Sequence, residues 1–148
     1  MVDTASTLKQ QSVKLQQGKF ALLEEEAPQP GKGQVLIEVH YGTINPYDRI
    51  RYEVETIEGF VMGSDGCGKI LQIGEDVDSS LVGRYVSFLG GGWSRYTVKD
   101  PEFLIFYPEG FDPRNGANAY VNPLTACSML DFAQKNQAKT VVILAASS

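Results

Sequence analysis

The stretch Val61-Met62-Gly63-Ser64-Asp65-Gly66-Cys67-Gly68-Lys69-Ile70-Leu71-Gln72-Ile73 decides the fold. Its glycines, spaced Gly63-x-Asp65-Gly66-x-Gly68, permit close backbone approach or positive φ where a strand bends sharply, as at a barrel corner. A dinucleotide-binding loop would have to follow a strand and open a helix. This segment lies instead between β-like runs, so it reads as a structural bend. Gly90-Gly91-Gly92 reads as a tight connection on the same grounds, not as a phosphate cradle.

Outward from this bend, short apolar or alternating runs separated by Gly, Pro and acidic turns fill the N-terminal two thirds of the chain. Ser12 to Leu15 and Phe20 to Glu24 flank Gln17-Gly18 and predict a hairpin. Val35 to Val39 alternates as a half-buried strand, and Lys69 to Ile73, Tyr85 to Leu89 and Tyr96 to Val98 predict further strands. After Pro108-Glu109-Gly110 the apolar period moves toward that of a helix, through Ala117, Ala119, Ala126, Leu130 and Ala133. Asp112-Pro113 and Asn122-Pro123 both read as an N-cap followed by proline at the first helical position, which predicts two consecutive helices.

Thr140 to Ala146 is continuously apolar, as in a strand buried on both faces of a parallel sheet, yet no partner strand is evident. An unpaired edge at Val141 to Leu144 predicts self-association or local disorder. The expectation is a mainly β protein with a few helices, built as a twisted sheet or partly open β-barrel. The polar residues 1–11 are expected to be disordered in part, and a domain boundary is expected near residue 122.

Composition narrows the partners. The 13 Lys and Arg against 18 Asp and Glu give 13 − 18 = −5, with no basic block to attract nucleic acid or anionic lipid. No run approaches the ~20 apolar residues of a membrane span. Cys67 and Cys127 lack any CxxC spacing and are expected to be reduced thiols in a cytoplasmic protein.

Three further segments, in chain order, carry a resemblance. The first is Gln34 to Val39 leading into Thr43-Ile44-Asn45-Pro46-Tyr47-Asp48. The second is the glycine-rich stretch itself, continued by Ile73-Gly74-Glu75-Asp76-Val77 and Val82-Gly83-Arg84. The third is Gly91-Gly92-Trp93-Ser94-Arg95-Tyr96, then Tyr107-Pro108-Glu109-Gly110, then Asn122-Pro123-Leu124-Thr125-Ala126. In this order they resemble the medium-chain dehydrogenase/reductase family, in its zinc-independent branch of quinone reductases and enoyl-thioester reductases. The resemblance implies a GroES-like catalytic domain over 12–121 and, over 122–148, the first helix and strand of a truncated NAD(P)-binding Rossmann domain. The glycine-rich turn that holds the pyrophosphate in relatives is not reached by Ser148, so the chain is expected to be an N-terminal fragment, inactive alone.

The implied reaction is hydride transfer from NADPH, in the full-length enzyme, to a small quinone or α,β-unsaturated carbonyl substrate. Asn45 is the first candidate for a polar group lining that site and touching the cofactor, and it is equally suited to shaping the Asn-Pro turn. Thr125 resembles a threonine placed near the nicotinamide, although a helix hydroxyl can also bond back to its own turn. Tyr52 is the candidate proton donor, with packing as its alternative; the acidic run Glu53 to Glu58 stands where enoyl-thioester reductases carry a glycine and their tyrosine. Asn122 reads as a helix cap, and His40, the only histidine, as a surface or packed residue. Zinc-dependent relatives hold metal with Cys and a His-Glu pair; Asn45 and Ser64-Asp65 stand in those places, so no zinc is expected. A binding or scaffold module derived from such an enzyme is the alternative function, and a zinc-dependent alcohol dehydrogenase the third.

Overall fold

A computed structural model describes residues 8–144. Strands β1 (Lys9–Gln16) and β2 (Lys19–Glu26) form an antiparallel hairpin closed by Gln17 and Gly18, which take φ values of 51° and 75°. Lys9, Gln10 and Gln11 therefore lie in a strand and not in a disordered leader, because each pairs with a glutamate of β2. Leu8 accepts from the Ala27 amide at 2.7 Å, and residues 1–7 lie outside the described residues.

Five strands make the main sheet: β3 (Val35–Gly42), β4 (Asp65–Ile73), β5 (Tyr85–Leu89), β6 (Tyr96–Lys99) and β7 (Ile105–Phe106), in the order β6-β3-β4-β5-β7 and antiparallel throughout. Two register shifts in the β3–β4 ladder interrupt the regular pairing, the usual device for curving a sheet. The hairpin closes over it through hydrogen bonds from Val13 N to Trp93 O and from Met62 N to Val13 O, both 2.9 Å.

The half-buried reading of β3 is corrected by the structure. Val35, Leu36 and Ile37 are all fully buried: Val35 and Ile37 join Ile70, Val86 and Phe88 on one face, while Leu36 packs with Ala27 and Tyr96 on the other. Strand alternation sends neighbours to opposite faces, and here the chain covers both.

The glycine bend behaves as its spacing implies. Gly63 takes φ +97°, and a Cβ on Gly68 would meet Glu38 O at 2.1 Å, so the backbones pass where no side chain fits. Gly90 and Gly91 both take φ +75°, and the Gly90 amide donates to Ser64 O at 2.6 Å, strapping the second glycine run onto the first.

Two helices flank the site: α1 (Pro46–Val54) and α2 (Val121–Lys135). The helix expected after Asp112-Pro113 is only a 3-10 turn, Pro113–Gly116, whose start is held by Asp112 Oδ1 accepting from Arg114 N at 3.0 Å. Helix α2 begins at Val121, so Asn122 lies inside it and does not cap it. Thr140 to Leu144 forms no strand: without a neighbouring strand its amides have no ladder to join, and Val141 to Leu144 are exposed. The last residues of that expected strand, 145 and 146, lie outside the described residues.

Candidate active site

Asn45 ends the loop after β3, and its neighbours show why the chain turns there. Asp48 Oδ2 accepts from the Asn45 amide at 2.6 Å, while the Asp48 amide donates to Asn45 O at 2.9 Å, which closes the first turn of α1 around Pro46. Asp48 is 2% exposed; its other oxygen accepts from the amide and hydroxyl of Ser64 and so ties α1 to the glycine bend.

The Asn45 side chain turns inward. Its Nδ2 donates to Thr43 Oγ1 at 2.9 Å and to Asp65 Oδ1 at 3.1 Å. The Thr43 hydroxyl donates to the same Asp65 oxygen, and Asp65 Oδ2 accepts from the Val121 amide at 3.0 Å, at the first residue of α2. Asn122 Nδ2 completes the chain, donating to Asn45 Oδ1 at 3.2 Å and to Asn118 Oδ1 at 2.5 Å. The fully buried Asp65 is thus satisfied by three donors, two from the loop after β3 and one from α2, and the network links the barrel to the start of α2. Thr43, Asp65 and Asn122 belong to this site although the sequence alone marked none of them as a site residue. The signal for Asp65 was its place in the glycine bend, where a carboxyl has no reason to be unless donors converge on it.

A cavity of about 390 Å³ opens beside the network, lined by Tyr47, Arg51, Phe60, Met62, Leu89 and Val121 among others. Its cation is already engaged: Arg51 pairs with Glu55 and lies 4.5 Å from the Phe60 ring centroid. The Ile57 amide, with that of Thr56 and the Arg51 guanidinium, holds the Glu55 carboxyl below the ordinary range against the burial that opposes it. In the acidic run, Glu53 pairs with Arg49 at 3.1 Å and Glu58 accepts from the Gln17 amide at 3.0 Å.

The structure does not bring Tyr52 to this cavity. Its ring is 60% exposed and stacks on Phe20, with ring centroids 5.2 Å apart. At about 100° per residue, Tyr47 and Arg51 lie about 40° apart on α1 while Tyr52 lies about 140° from Tyr47, so it is Tyr47 that lines the cavity. Thr125 sits one turn into α2, where its hydroxyl donates to Val121 O at 2.7 Å, and it lines a separate apolar groove with Phe132 and Val141. The structure brings Asn45 and Asn122 together, while the Thr125 hydroxyl bonds only back to its own helix. His40 is exposed, 3.4 Å from the Tyr85 hydroxyl.

The residues in the places of zinc ligands are a poor donor set for that metal. Asn45, Ser64 and Asp65 provide a single carboxyl, an amide and a hydroxyl, and each is consumed by the bonds above. Among the described residues no group of three or more His, Cys, Asp and Glu converges. No helix of the described residues is long and apolar enough to cross a membrane.

The family model described as the N-terminal domain of oxidoreductase matches residues 7–106. The chain is 30% identical over 128 residues to the quinone oxidoreductase of Sus scrofa, covering 82% of this chain and 39% of that protein. It is also 30% identical over 112 residues to the trans-enoyl reductase RAP2 of Pyricularia oryzae, covering 69% and 32%. It therefore spans about two fifths or less of the length of these curated relatives. Among solved structures, an alcohol dehydrogenase superfamily protein from Novosphingobium aromaticivorans superposes with a TM-score of 0.69 at 27% identity, over 86% of this chain and 43% of that one. A mycobacterial protein whose structure is complexed with NADPH shares the fold with a TM-score of 0.70 at 22% identity, over 81% of this chain and 40% of that one. The chain belongs to the medium-chain dehydrogenase/reductase family, and corresponds to the GroES-like N-terminal domain of its quinone oxidoreductases and enoyl reductases.

Proposed function

We propose that this chain is the substrate-side domain of a zinc-independent, NADPH-dependent reductase of small quinones or α,β-unsaturated carbonyl compounds. The observation that carries this reading is the buried Asn45 network at the wall of an apolar cavity, joined by hydrogen bonds to the helix that leads toward the nucleotide-binding part. A planar, weakly polar substrate suits a cavity walled by Tyr47, Phe60 and Met62.

NADPH, when bound, supplies the hydride. The residues of this chain that would face its nicotinamide half are Asn45 and Thr125, and their remaining hydrogen-bonding capacity fits. Both Asn45 amide hydrogens are committed, which leaves a lone pair on Oδ1, and the Thr125 hydroxyl has given its proton to Val121 O. Both therefore present acceptors, the complement of a carboxamide NH2. Tyr47 takes the place of Tyr52 as the candidate donor to the substrate oxygen, since it lines the cavity. A cytoplasmic location accords with two unpaired thiols, Cys67 and Cys127.

The test is NADPH oxidation with benzoquinone or 2-cyclohexenone by a chain extended through the nucleotide-binding domain, beside a calorimetric titration of the 148-residue chain with NADPH and NADH. Turnover by the extended chain is expected, with Tyr47→Phe slowing it more than Tyr52→Phe, and no heat is expected from the short chain. Absence of turnover with either acceptor and either cofactor would replace this reading with that of a binding module derived from such an enzyme.

A further inference from the structure

Leu89 separates the cavity beside Asn45 from a second cleft, of about 310 Å³, that the reading above leaves without a role. Its floor is Lys99, the last residue of β6. The Lys99 ammonium makes no ion pair with any described residue. Its Nζ lies 5.9 Å from the Phe88 ring centroid and 3.8 and 3.9 Å from where a Cβ would stand on Gly90 and Gly91. Both glycines are at positive φ, and Gly90 and Gly91 border the amine in ordinary contact.

The other polar groups of the cleft are committed. Gln34 Nε2 donates to Asp100 Oδ1 at 3.1 Å, and the Tyr120 hydroxyl donates to Phe103 O at 2.8 Å. Asp100 and Tyr120 are the titratable groups that line the cleft with the amine. Burial lowers the Lys99 pKa, and the nearby Asp100 only partly offsets it. A half-buried amine that lines an open cleft beside Leu89, Val98 and Phe103, unpaired with any carboxylate of the described residues, is placed as a nucleophile more than as a charge.

We infer that Lys99 is a carbonyl-capturing amine that takes short aliphatic aldehydes as a reversible imine, at a site distinct from the Asn45 cavity. The nitrogen lone pair forms the N–C bond while the carbonyl π pair moves to oxygen, which is protonated. The resulting carbinolamine expels water, the nitrogen loses its proton, and the imine remains. No oxidant or reductant enters.

The test uses the 148-residue chain with propanal and cyanoborohydride, which traps the imine as a propyl group, and reads each lysine by peptide mass spectrometry between pH 6 and pH 10. Because a lowered pKa raises the unprotonated fraction, Lys99 should label faster than the exposed Lys19 and Lys139 near pH 7.5, with the advantage shrinking toward pH 10. Lys99→Arg should remove the fast site without moving the unfolding midpoint, and Phe103→Trp should slow it. Labelling of Lys99 no faster than Lys19 in the native chain would overturn the inference. So would fast labelling that persists in Lys99→Arg. Neither result touches cofactor binding, so the outcome is separable from that of the proposed reductase function.

Discussion

Strand β3 and helix α2 are built from similarly apolar sequence, yet they end in opposite conditions. In β3 three successive side chains, Val35, Leu36 and Ile37, are fully buried; in α2 none is buried, and Leu124, Met129, Leu130 and Phe132 are all more than half exposed. The strand is specified by contacts on both faces. The helix is specified by its own backbone and by a tether at its first turn, where Val121 N and Asn122 bond to Asp65 and Asn45. Isolated helices of this length are marginal in water, so the tether and the covering of the apolar face must decide how firmly α2 holds. Native-state hydrogen exchange would show it directly, with β3 and β4 amides protected near the global limit and α2 amides exchanging through local opening.

The largest contrast should come from equivalent truncations in the two regions. Phe88→Ala empties the centre of the main core and should cost about 3–5 kcal/mol in urea unfolding. Phe132→Ala removes a ring that is 70% exposed and should change stability by no more than about 0.5 kcal/mol. Comparable losses at both would mean that α2 is packed against something in solution.

The junction should come next. Asp65→Ala leaves Thr43, Asn45 and the Val121 amide without their acceptor, and an unsatisfied buried donor costs about 1–3 kcal/mol. A destabilisation of about 3 kcal/mol is expected, with exchange of the first α2 amides accelerating more than that of β5. Equal acceleration in both would show that Asp65 holds the barrel and not the helix.

Which of these features could be read from sequence follows from how local they are. The hairpin turn at Gln17-Gly18, the bend at Gly63 to Gly68 and the strands from Lys69, Tyr85 and Tyr96 were legible because turn residues and alternation are properties of neighbours in the chain. The double burial of β3 was not, because Leu36 is covered by Ala27, beyond the intervening loop, and by Tyr96 on another strand. Asn45 was legible as a site residue by its motif, whereas its partners Asp65 and Asn122 lie 20 and 77 positions away and meet it only in the fold. Tyr52 was placed at the site by proximity to the Asn-Pro turn, but helical rotation carries it to Phe20 and brings Tyr47 to the cavity instead. The strand expected from Thr140 failed for the complementary reason: its residues favour a strand, but none of the described residues offers a strand to pair with it.

The hairpin adds a pH-dependent term to the barrel side. Burial of Glu25 opposes its ionisation, but bonds from Lys14, Ser12 and Gln10, with the Lys14 charge, outweigh it and hold the carboxyl below its ordinary range. A carboxyl whose pKa is lowered by folding stabilises the fold above its unfolded pKa, and that contribution is lost as pH falls through the folded value. The urea midpoint should therefore drop as pH is lowered from neutrality through the ordinary glutamate range and below. Glu25→Gln should flatten that drop, while Asp131→Asn in α2, whose carboxyl makes only an exposed pair with Lys135, should leave it intact.

A smaller effect on stability, though a visible one on size, is expected from the exposed segment. Val141 to Leu144 are each more than half exposed beside the apolar face of α2. We expect the 148-residue chain to self-associate there, and Ile143→Asp with Leu144→Asp to return it to a monomer in sedimentation velocity without moving the unfolding midpoint. A concentration-independent monomer before substitution would remove this surface from the comparison.

The last contrast sets a substitution of only a few tenths of a kcal/mol against a larger one, at the two residues proposed to face the cofactor. Thr125 gives its hydroxyl proton to Val121 O one turn back and touches nothing else in the barrel, so Thr125→Val should move stability by only a few tenths of a kcal/mol, about the difference expected from an exposed side chain. Asn45 is 6% exposed and shares its amide among Thr43, Asp65 and Asn122, so Asn45→Ala should destabilise by about 1–3 kcal/mol, leaving those partners unpaired. In the extended enzyme the order should change. Thr125→Val should raise the KM for NADPH with the fold untouched, because the loss falls on an acceptor that only the cofactor uses. If Thr125→Val leaves that KM unchanged, the hydroxyl belongs to its helix alone, and Asn45 stands as the sole residue of this chain proposed to meet the nicotinamide.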